Sequence, residues 1–437
     1  MKFFNLKDFY KKSSLLFLEN ILSFFLGFLG TIIVARYLGP SNFGILSFCL
    51  GLFAIASIGS HMGLQDLATK EILINKSDMK QTMGTIFFVK LAGSIVSLIL
   101  LLIYATISTN VDSSKFIIIL ILSFCLLLNP FNVFISWMQA EVLTKYIFFT
   151  KFLSNFIAFL SRISFVLLSL SLVYFGFISF ISLLILALFG FLFFYKTTKI
   201  NLFDLDFNYQ KYRDIISNSF LSLISTFFAV ILLKIDIIMI NHFLGDYSTG
   251  LYSAASRITE AIYFIPNILL IPLFPVLTDL LKKNYQDFAR LQQQIYDGLF
   301  LLSFFLFLVI FVLSDHIIYL LYGESFSLAS SVLKVHSISI ILVYVRAAFR
   351  RWVFLKDILK INLITQIIGC GLNIILNLYL IPNMGLIGAA YSTVLSYFIS
   401  SFLIFYFFKS TREAFFQILY AFLIFIRVPY KIIRKKF

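Results

Sequence analysis

Charge is scarce in this chain of 437 residues, and negative charge is the scarcer sign. Charged residues make up 13% of the sequence and hydrophobic residues 61%, whereas roughly a quarter of a soluble domain is charged. Only 20 Asp and Glu stand against 35 Lys and Arg. This composition excludes an ordinary soluble domain. Apolar runs long enough to cross a hydrocarbon core of ~30 Å recur along the whole chain and predict an integral membrane protein.

Cysteines, phosphate-binding loops and long polar segments are also rare or absent. Cys49, Cys125 and Cys370 lie far apart in apolar segments, so they offer neither a disulfide framework nor the spacing of metal ligands. No Walker-type glycine-rich loop is present, so ATP is not the expected energy source. The link from Lys196 to Asp214 is among the longest polar stretches and leaves no room for a soluble catalytic domain. We therefore expect no metal, no cofactor and no enzyme active site.

The apolar segments number about twelve. The first is too long for a removable signal peptide and lacks a small-x-small cleavage site, so we expect it to remain as a membrane anchor. The segments lie near residues 14–35, 43–65, 83–106, 116–138, 146–170, 173–195, 215–240, 251–278, 292–314, 329–349, 361–381 and 385–408.

The net charge is +15. The positive residues are distributed as expected for a membrane topology and not for a nucleic-acid-binding surface. If the N-terminus is cytoplasmic, nearly all Lys and Arg between the spans, Lys151 included, fall on the cytoplasmic side. The opposite side carries only Arg36 and Lys115. This asymmetry is the positive-inside pattern, and it predicts that both termini are cytoplasmic.

A short motif occurs twice in the chain. The stretch A-R-Y-L-G-P-S-N-F-G contains Gly39, Pro40 and Gly44, and it joins the first two apolar segments as a tight turn. Gly245 and Gly250 repeat the two glycines 206 residues later, between apolar segments that match as well. A repeat at half the chain length predicts an all-α polytopic membrane protein with two six-helix lobes.

The repeat also sets the predicted domain boundaries. Residues 1–195 form the N-terminal six-helix lobe, and residues 196–213 form a cytoplasmic link. Residues 214–408 form the C-terminal six-helix lobe. Residues 409–437 form a basic cytoplasmic tail whose apolar segment, too short to span, is predicted to be an interfacial helix.

Charged residues inside the predicted spans are the candidate site. A charge at the bilayer centre costs roughly 2.5–3.5 kcal/mol, so such residues normally face the bundle interior or a partner. Positive charges are in excess, which predicts a cationic cavity for an anionic ligand, with the remaining groups as counter-charges or ion-coupling groups. Arg162 is the strongest candidate because it lies mid-span. The positive residues are Lys90, Arg162, Lys234, Arg257, Lys334 and Arg346, and the others are Glu19, Asp236, Glu260 and His61.

Several of these residues also have a purely structural interpretation. Lys334 and Arg346 are near enough to span ends to reach the interface. Arg257 and Glu260 stand three residues apart on one helix face and can pair with each other. His61 fits a hydrogen-bonded core histidine.

Proline is concentrated at two places within the spans. Pro130 interrupts the fourth apolar segment, and Pro266, Pro272 and Pro275 interrupt the eighth. Broken helices at membrane depth persist only where they are buried in protein or line a wet cavity. We therefore predict that these two spans form the gates of a transport path.

Four motifs in order along the chain carry a family resemblance. They are A-R-Y-L-G-P-S-N-F-G at 35–44, G-L-x-D-x-A-T-K-E at 63–71, L-L-Y-G-x-x-F at 320–326 and N-x-x-L-N-x-x-L-I-P-x-x-G-x-x-G-A-A at 373–390. With them, nearly the whole chain resembles the polysaccharide transporter family, the O-antigen, capsule and exopolysaccharide repeat-unit flippases of the multidrug/oligosaccharidyl-lipid/polysaccharide exporter superfamily. The resemblance implies two lobes around a central cavity that opens alternately to each side. It assigns no individual substrate-binding residue.

The resemblance implies a flippase for a polyprenyl-(di)phosphate-linked oligosaccharide in the bacterial plasma (inner) membrane, without nucleic acid as a partner. It also suggests the polysaccharide polymerase and chain-length machinery as candidate partners. Two alternatives stay open. One is a cation-coupled multidrug-type exporter of the same superfamily, which would prefer acidic cavity residues. The other is a membrane enzyme of glycan assembly, which would need a large polar outer loop or a catalytic cluster of His, Asp or Glu.

Overall fold

The computed structural model describes residues 6–111, 113–356 and 358–427, and in these ranges every regular element is a helix. The all-α fold class is thus confirmed. The α-helices are α1 (Leu6–His61), α2 (Gln65–Ile74), α3 (Met79–Ser108), α4 (Ser114–Cys125), α5 (Asn132–Ala140), α6 (Thr144–Leu167), α7 (Leu172–Thr198), α8 (Tyr209–Ile262), α9 (Ile265–Leu270), α10 (Leu273–Lys283), α11 (Tyr285–Tyr322), α12 (Ala329–His336), α13 (Ser339–Leu355), α14 (Leu359–Ser401) and α15 (Arg412–Phe422).

Three of the helices are too long to be single spans, and each is divided by one glycine. Gly39 in α1 has φ 70° and ψ 173°, Gly245 in α8 has φ 78° and ψ −173°, and Gly385 in α14 has φ 63° and ψ −141°. Side chains other than hydrogen rarely tolerate such angles, so glycine lets the chain reverse without leaving the helical path for more than a residue. The described residues contain nine apolar helical stretches, and dividing these three gives the predicted twelve spans.

The prolines interrupt two further spans. A 3-10 turn at Leu126–Phe131, which contains Pro130, separates α4 from α5. The eighth span breaks into the end of α8 and the short helices α9 and α10, in the region of Pro266, Pro272 and Pro275. Proline lacks an N–H group and cannot continue the i to i−4 hydrogen bonds, so these interruptions follow from the sequence.

The helices pack into two units, Met1–Asn241 and His242–Phe437, here called the N-terminal and C-terminal units. Their boundary lies within α8, so the first part of that helix belongs to the N-terminal unit. There Ile237 approaches Gly51 of α1, and Ile238 packs against an apolar cluster that includes Leu122 and Phe175. The lobe boundary at residue 196 predicted from the repeat remains a prediction.

The N-terminal unit is built around contacts of α1 with α3 and α6. A Cβ atom at Gly93 of α3 would collide with the carbonyl oxygen of Gly59, so α1 and α3 approach closely there. Phe134, Trp137 and Phe194 form an aromatic core, with ring centroids of Phe134 and Phe194 4.9 Å apart. Dispersion and burial of this apolar surface hold α5 against α7.

In the C-terminal unit, α15 corresponds to the predicted interfacial helix. One face of α15, with Ala414, Ile418 and Ala421, is buried, and the helix packs on α11. Arg427, just after α15, forms an ion pair with Asp297 of α11. The remaining basic residues of the tail, from 428 onward, lie outside the described residues.

Candidate functional site

A polar cavity of about 350 Å³ lies within the N-terminal unit. Helices α1, α5, α6 and α7 and the 3-10 turn after α4 contribute to its wall. Apolar residues of α1 and α7 complete the wall, so the polar groups converge on one small space. The polar lining residues are Ser57, His61, Asn129, Asn132, Arg162, Ser179 and Ser182.

The interruption at Pro130 places two of the amides in the cavity. Asn129 precedes the proline in the 3-10 turn, and Asn132 begins the helix that follows. Asn129 is buried, and its Nδ2 donates to Ser60 Oγ at 2.7 Å. Ser60 in turn donates to the carbonyl oxygen of Ser57 at 2.8 Å. These bonds tie the broken span to α1 and fix the orientation of the Asn129 amide.

Arg162 is the charged residue of α6 that lines the cavity. Its side chain lies against α1 at Gly30, where an added Cβ would stand 2.7 Å from Arg162 Cδ and 3.0 Å from Nη1. The absence of a side chain at Gly30 therefore gives the guanidinium its space. A planar guanidinium matches the oxygens of a phosphate or carboxylate in a bidentate geometry.

His61 and Lys90 belong to the same region. His61 lines the cavity from the end of α1, and its Nδ1 has no hydrogen-bond partner among the described residues. Lys90 of α3 is 1% exposed and lies near His61. The two predicted site residues Arg162 and Lys90 give this region of the unit its positive charge, and His61 adds a polar imidazole.

Glu19, predicted as a counter-charge, is held by α6. Its carboxylate is 2% exposed, lies 3.6 Å from Lys151 Nζ and accepts a hydrogen bond from Ser23 at 2.9 Å. Asn155 Nδ2 donates to Ser23 Oγ at 3.0 Å and completes the network. The sequence assigned Lys151 to a cytoplasmic loop, but it lies inside α6. Lys151 is therefore a further cation within the helical segments, and it pairs with Glu19.

Two of the predicted cations in the C-terminal unit are engaged by protein oxygens. Lys334 Nζ lies 2.8 Å from Asp315, and both side chains are at least one-third exposed. Arg346 is partly buried. Its Nη1 donates to the Ser400 carbonyl at 2.9 Å, and Nη2 to Thr365 Oγ1 at 3.4 Å. Protein oxygens thus occupy donor groups of both cations.

The remaining predicted charges lie along α8. Arg257 stands 3.9 Å from Glu260 on the next turn, as the structural interpretation of their spacing anticipated. Lys234 is half-buried and Asp236 is buried in the part of α8 that belongs to the N-terminal unit. Neither lines the polar cavity.

Sequence reasoning missed most of the cavity's uncharged lining. Ser57 and His61 are four residues apart on α1, Asn129 and Asn132 three apart, and Ser179 and Ser182 three apart on α7. Polar residues repeated at helical spacing within apolar spans share a helix face, which was the available signal. Among the described residues, no group of three His, Cys, Asp or Glu could hold a metal ion.

Two family models and one curated relative match this chain. The family model described as a polysaccharide biosynthesis protein matches residues 9–281, and the MatE family model matches residues 222–379. A curated relative, the probable low-salt glycan biosynthesis flippase Agl15 of Haloferax volcanii, is 28% identical over 198 residues. That match covers 45% of this chain and 40% of the relative, so the chain spans less than half the length of this curated relative.

Two solved structures share the fold. The lipid II flippase MurJ in an inward closed conformation has a TM-score of 0.72 and 16% identity, covering 95% of this chain and 91% of MurJ. An inward-facing multidrug resistance MATE family transporter of the MOP superfamily has a TM-score of 0.70 and 14% identity, covering 92% of this chain and 94% of that one. At these identities the likeness establishes the fold alone. Since the first family model covers more than half of the sequence, the chain belongs to the polysaccharide biosynthesis protein family, and its apolar helices make it a multi-pass membrane protein.

Proposed function

We propose that this protein is a flippase that moves a polyprenyl-(di)phosphate-linked oligosaccharide repeat unit from the inner to the outer leaflet of the bacterial plasma membrane, for surface polysaccharide synthesis. The observation that carries the proposal is the polar cavity of the N-terminal unit. It combines one guanidinium with amide and hydroxyl groups, a lining suited to a phosphorylated sugar. The glycan-biosynthesis flippase among the relatives supports the same substrate class.

The cavity addresses the main physical barrier to such a reaction. Each sugar hydroxyl or phosphate oxygen that enters hydrocarbon without a hydrogen-bond partner costs several kcal/mol. Arg162 would bind the phosphate oxygens, while Asn129, Asn132 and the serine hydroxyls would bind the sugar. The polyprenyl tail needs no such partners and can stay in lipid while the head group crosses.

Alternating access would expose this site to each side of the membrane in turn. The positive-inside pattern predicts that both termini are cytoplasmic, and loading would then occur from the inner leaflet. The spans interrupted at Pro130 and at Pro266, Pro272 and Pro275 are the gates in this scheme. Asn129 and Asn132 flank the first interruption, so movement there would change the site directly.

The match to the MatE model favours one rival, a cation-coupled exporter of multidrug type. Such a transporter needs acidic groups where the cationic substrate binds. The described lining of the cavity contains an arginine and a histidine but no carboxylate. This polarity supports an anionic substrate.

Reconstitution tests the proposal. The purified protein would be placed in liposomes carrying a fluorescent polyprenyl-diphosphate oligosaccharide, and transfer between leaflets measured by access of a glycosidase added outside. We expect transfer well above that of empty liposomes. Arg162→Gln should lower it at least tenfold, because a bidentate charge-assisted contact to phosphate is lost. Arg162→Lys should keep part of the activity.

The control variant is Ser169→Ala, at a residue of the chain between α6 and α7 that does not line the cavity. It should transfer the lipid at the wild-type rate. Transfer no faster than in empty liposomes, or equal activity of the wild type and Arg162→Gln, would overturn the proposal. Transport of a cationic dye in place of the lipid would favour the rival.

A further inference from the structure

At the break in the eighth span, one backbone carbonyl oxygen accepts a hydrogen bond from a side chain of another helix. Pro266 has no N–H group, so it cannot donate to the carbonyl oxygen of Ile262, four residues earlier. Tyr344 of α13 donates its hydroxyl to this oxygen at 3.1 Å. Tyr344 is 0% exposed, and the bond to the half-buried Ile262 is part-buried. A side chain from a neighbouring helix thus replaces the helical hydrogen bond that Pro266 removes.

Further contacts attach the same segment to α13. Arg350 Nη2 donates to Asn267 Oδ1 at 2.8 Å, and the hydroxyl groups of Tyr263 and Ser339 are hydrogen-bonded. The contact between Arg350 and Asn267 is exposed, whereas the contact made by Tyr344 is part-buried.

Aromatic contacts continue the attachment into α10. The guanidinium of Arg351 lies 5.6 Å from the centre of the Phe274 ring, and the rings of Phe274 and Phe354 are 5.8 Å apart. Residues 262–275, here called the broken segment, therefore contact α13 near both ends and at Asn267. All of these residues lie within the C-terminal unit.

We propose that Tyr344 is a positioning residue that clamps the broken segment against α13, and that release of this clamp is the step by which the segment changes shape during transport. The role of clamp release in transport rests on the proposed function, whereas the clamp itself does not. Because backbone bonds cannot pass through three prolines, the shape of the segment is set by its side-chain contacts to α13. An element held this way can alternate between two arrangements when a few hydrogen bonds exchange.

Hydrogen–deuterium exchange of the protein in nanodiscs tests the clamp without any substrate. Tyr344→Phe removes only the hydroxyl and leaves the Ile262 carbonyl without this donor. We expect amide exchange in residues 262–275 to increase roughly tenfold, the effect of losing one part-buried hydrogen bond. The matched control is Tyr322→Phe on α11. Tyr322 is also buried, and its hydroxyl has no hydrogen-bond partner among the described residues, so exchange in the broken segment should stay at the wild-type level.

Transport kinetics of the same variants test the second half of the proposal. Tyr344 does not line the polar cavity, so Tyr344→Phe should change the maximal transfer rate at least threefold and leave the half-saturating lipid concentration unchanged. Unchanged exchange in residues 262–275, or the same increase in Tyr322→Phe, would overturn the clamp. Altered exchange with an unaltered transfer rate would overturn its role in transport. Altered exchange in a protein that transfers no lipid would overturn the proposed function and leave the clamp standing.

Discussion

Gly39 and Gly245 adopt the same unusual backbone conformation although they lie in different halves of the chain. Their φ angles are 70° and 78°, and both ψ angles are close to 180°. Each divides one long helix into two spans, at the positions that the repeat of 206 residues aligns. The internal repeat is therefore visible in the backbone as well as in the sequence.

Replacing either glycine with alanine should destabilise the protein for a conformational reason alone. An added Cβ at Gly39 or Gly245 would meet no atom within 4 Å, so no steric clash contributes. These backbone angles are allowed almost only for glycine, so we expect the free energy of unfolding to fall by about 1–3 kcal/mol. Thermal unfolding of the purified variants would measure it. Gly27→Ala, in a helical part of α1 with equally open space, is the control and should be neutral or slightly stabilising.

Gly30→Ala should affect transport more than stability. Its new Cβ would stand 2.7 Å from Arg162 Cδ, so the flexible arginine side chain must move away from α1. We expect weaker lipid binding, seen as a several-fold higher half-saturating concentration, with a thermal midpoint close to wild type. Gly51→Ala is the control, because its Cβ would meet Ile237 at an ordinary 3.8 Å. Equal kinetics for the two variants would contradict the placement of Arg162 in the site.

The pair of Glu19 and Lys151 allows a test by charge removal. Lys151→Met leaves a buried carboxylate without its cation, and we expect a loss of about 1–3 kcal/mol, moderated because Lys151 is partly exposed. Glu19→Gln should cost less, since the amide can still accept the hydrogen bond from Ser23. Unfolding of the double variant completes the cycle. If its loss equals the sum of the single losses, the two residues do not interact.

Membrane potential should drive the proposed reaction. Moving two phosphate charges outward across an inside-negative membrane is favoured by about 4.6 kcal/mol per 100 mV, from ~2.3 per charge, provided that the cavity charges stay in place. Transfer in liposomes should therefore accelerate when a potassium diffusion potential is imposed. Clamping the proton and sodium gradients separately isolates this effect. A rate that follows an ion gradient and ignores the potential would instead favour coupling through an acidic residue such as Glu19 or Asp236.

Local features of the sequence predicted much of the fold. Apolar length identified the spans, because any segment that crosses hydrocarbon must satisfy its own backbone hydrogen bonds as a helix. The glycines at 39 and 245 and the prolines near 130 and 270 were recognised because they change the backbone wherever they occur. These effects act within a few residues and need no knowledge of neighbours.

Fewer residues of the candidate site could be predicted from the sequence in this way. Arg162 and His61 were selected by their charge, and the structure places both at one cavity. Lys334 and Arg346 were selected on the same ground, but Asp315 and the oxygens of Thr365 and Ser400 hold them. A charge within a span signals that some partner exists, and the sequence does not show whether that partner is substrate or protein.

The sequence by itself determined the membrane setting, the helical class, the positions of the turns and the family, since each depends on composition or on short motifs. Only the tertiary structure decided that Asn129, Asn132 and the serines of α1 and α7 share a cavity with Arg162. It also decided that Tyr344 donates a hydrogen bond to the carbonyl oxygen of Ile262. These relationships join residues tens of positions apart, and they depend on how helices rotate and pack against each other. Helix faces of similar hydrophobicity contact lipid equally well, so the rotation of each helix is determined only by side-chain packing between helices.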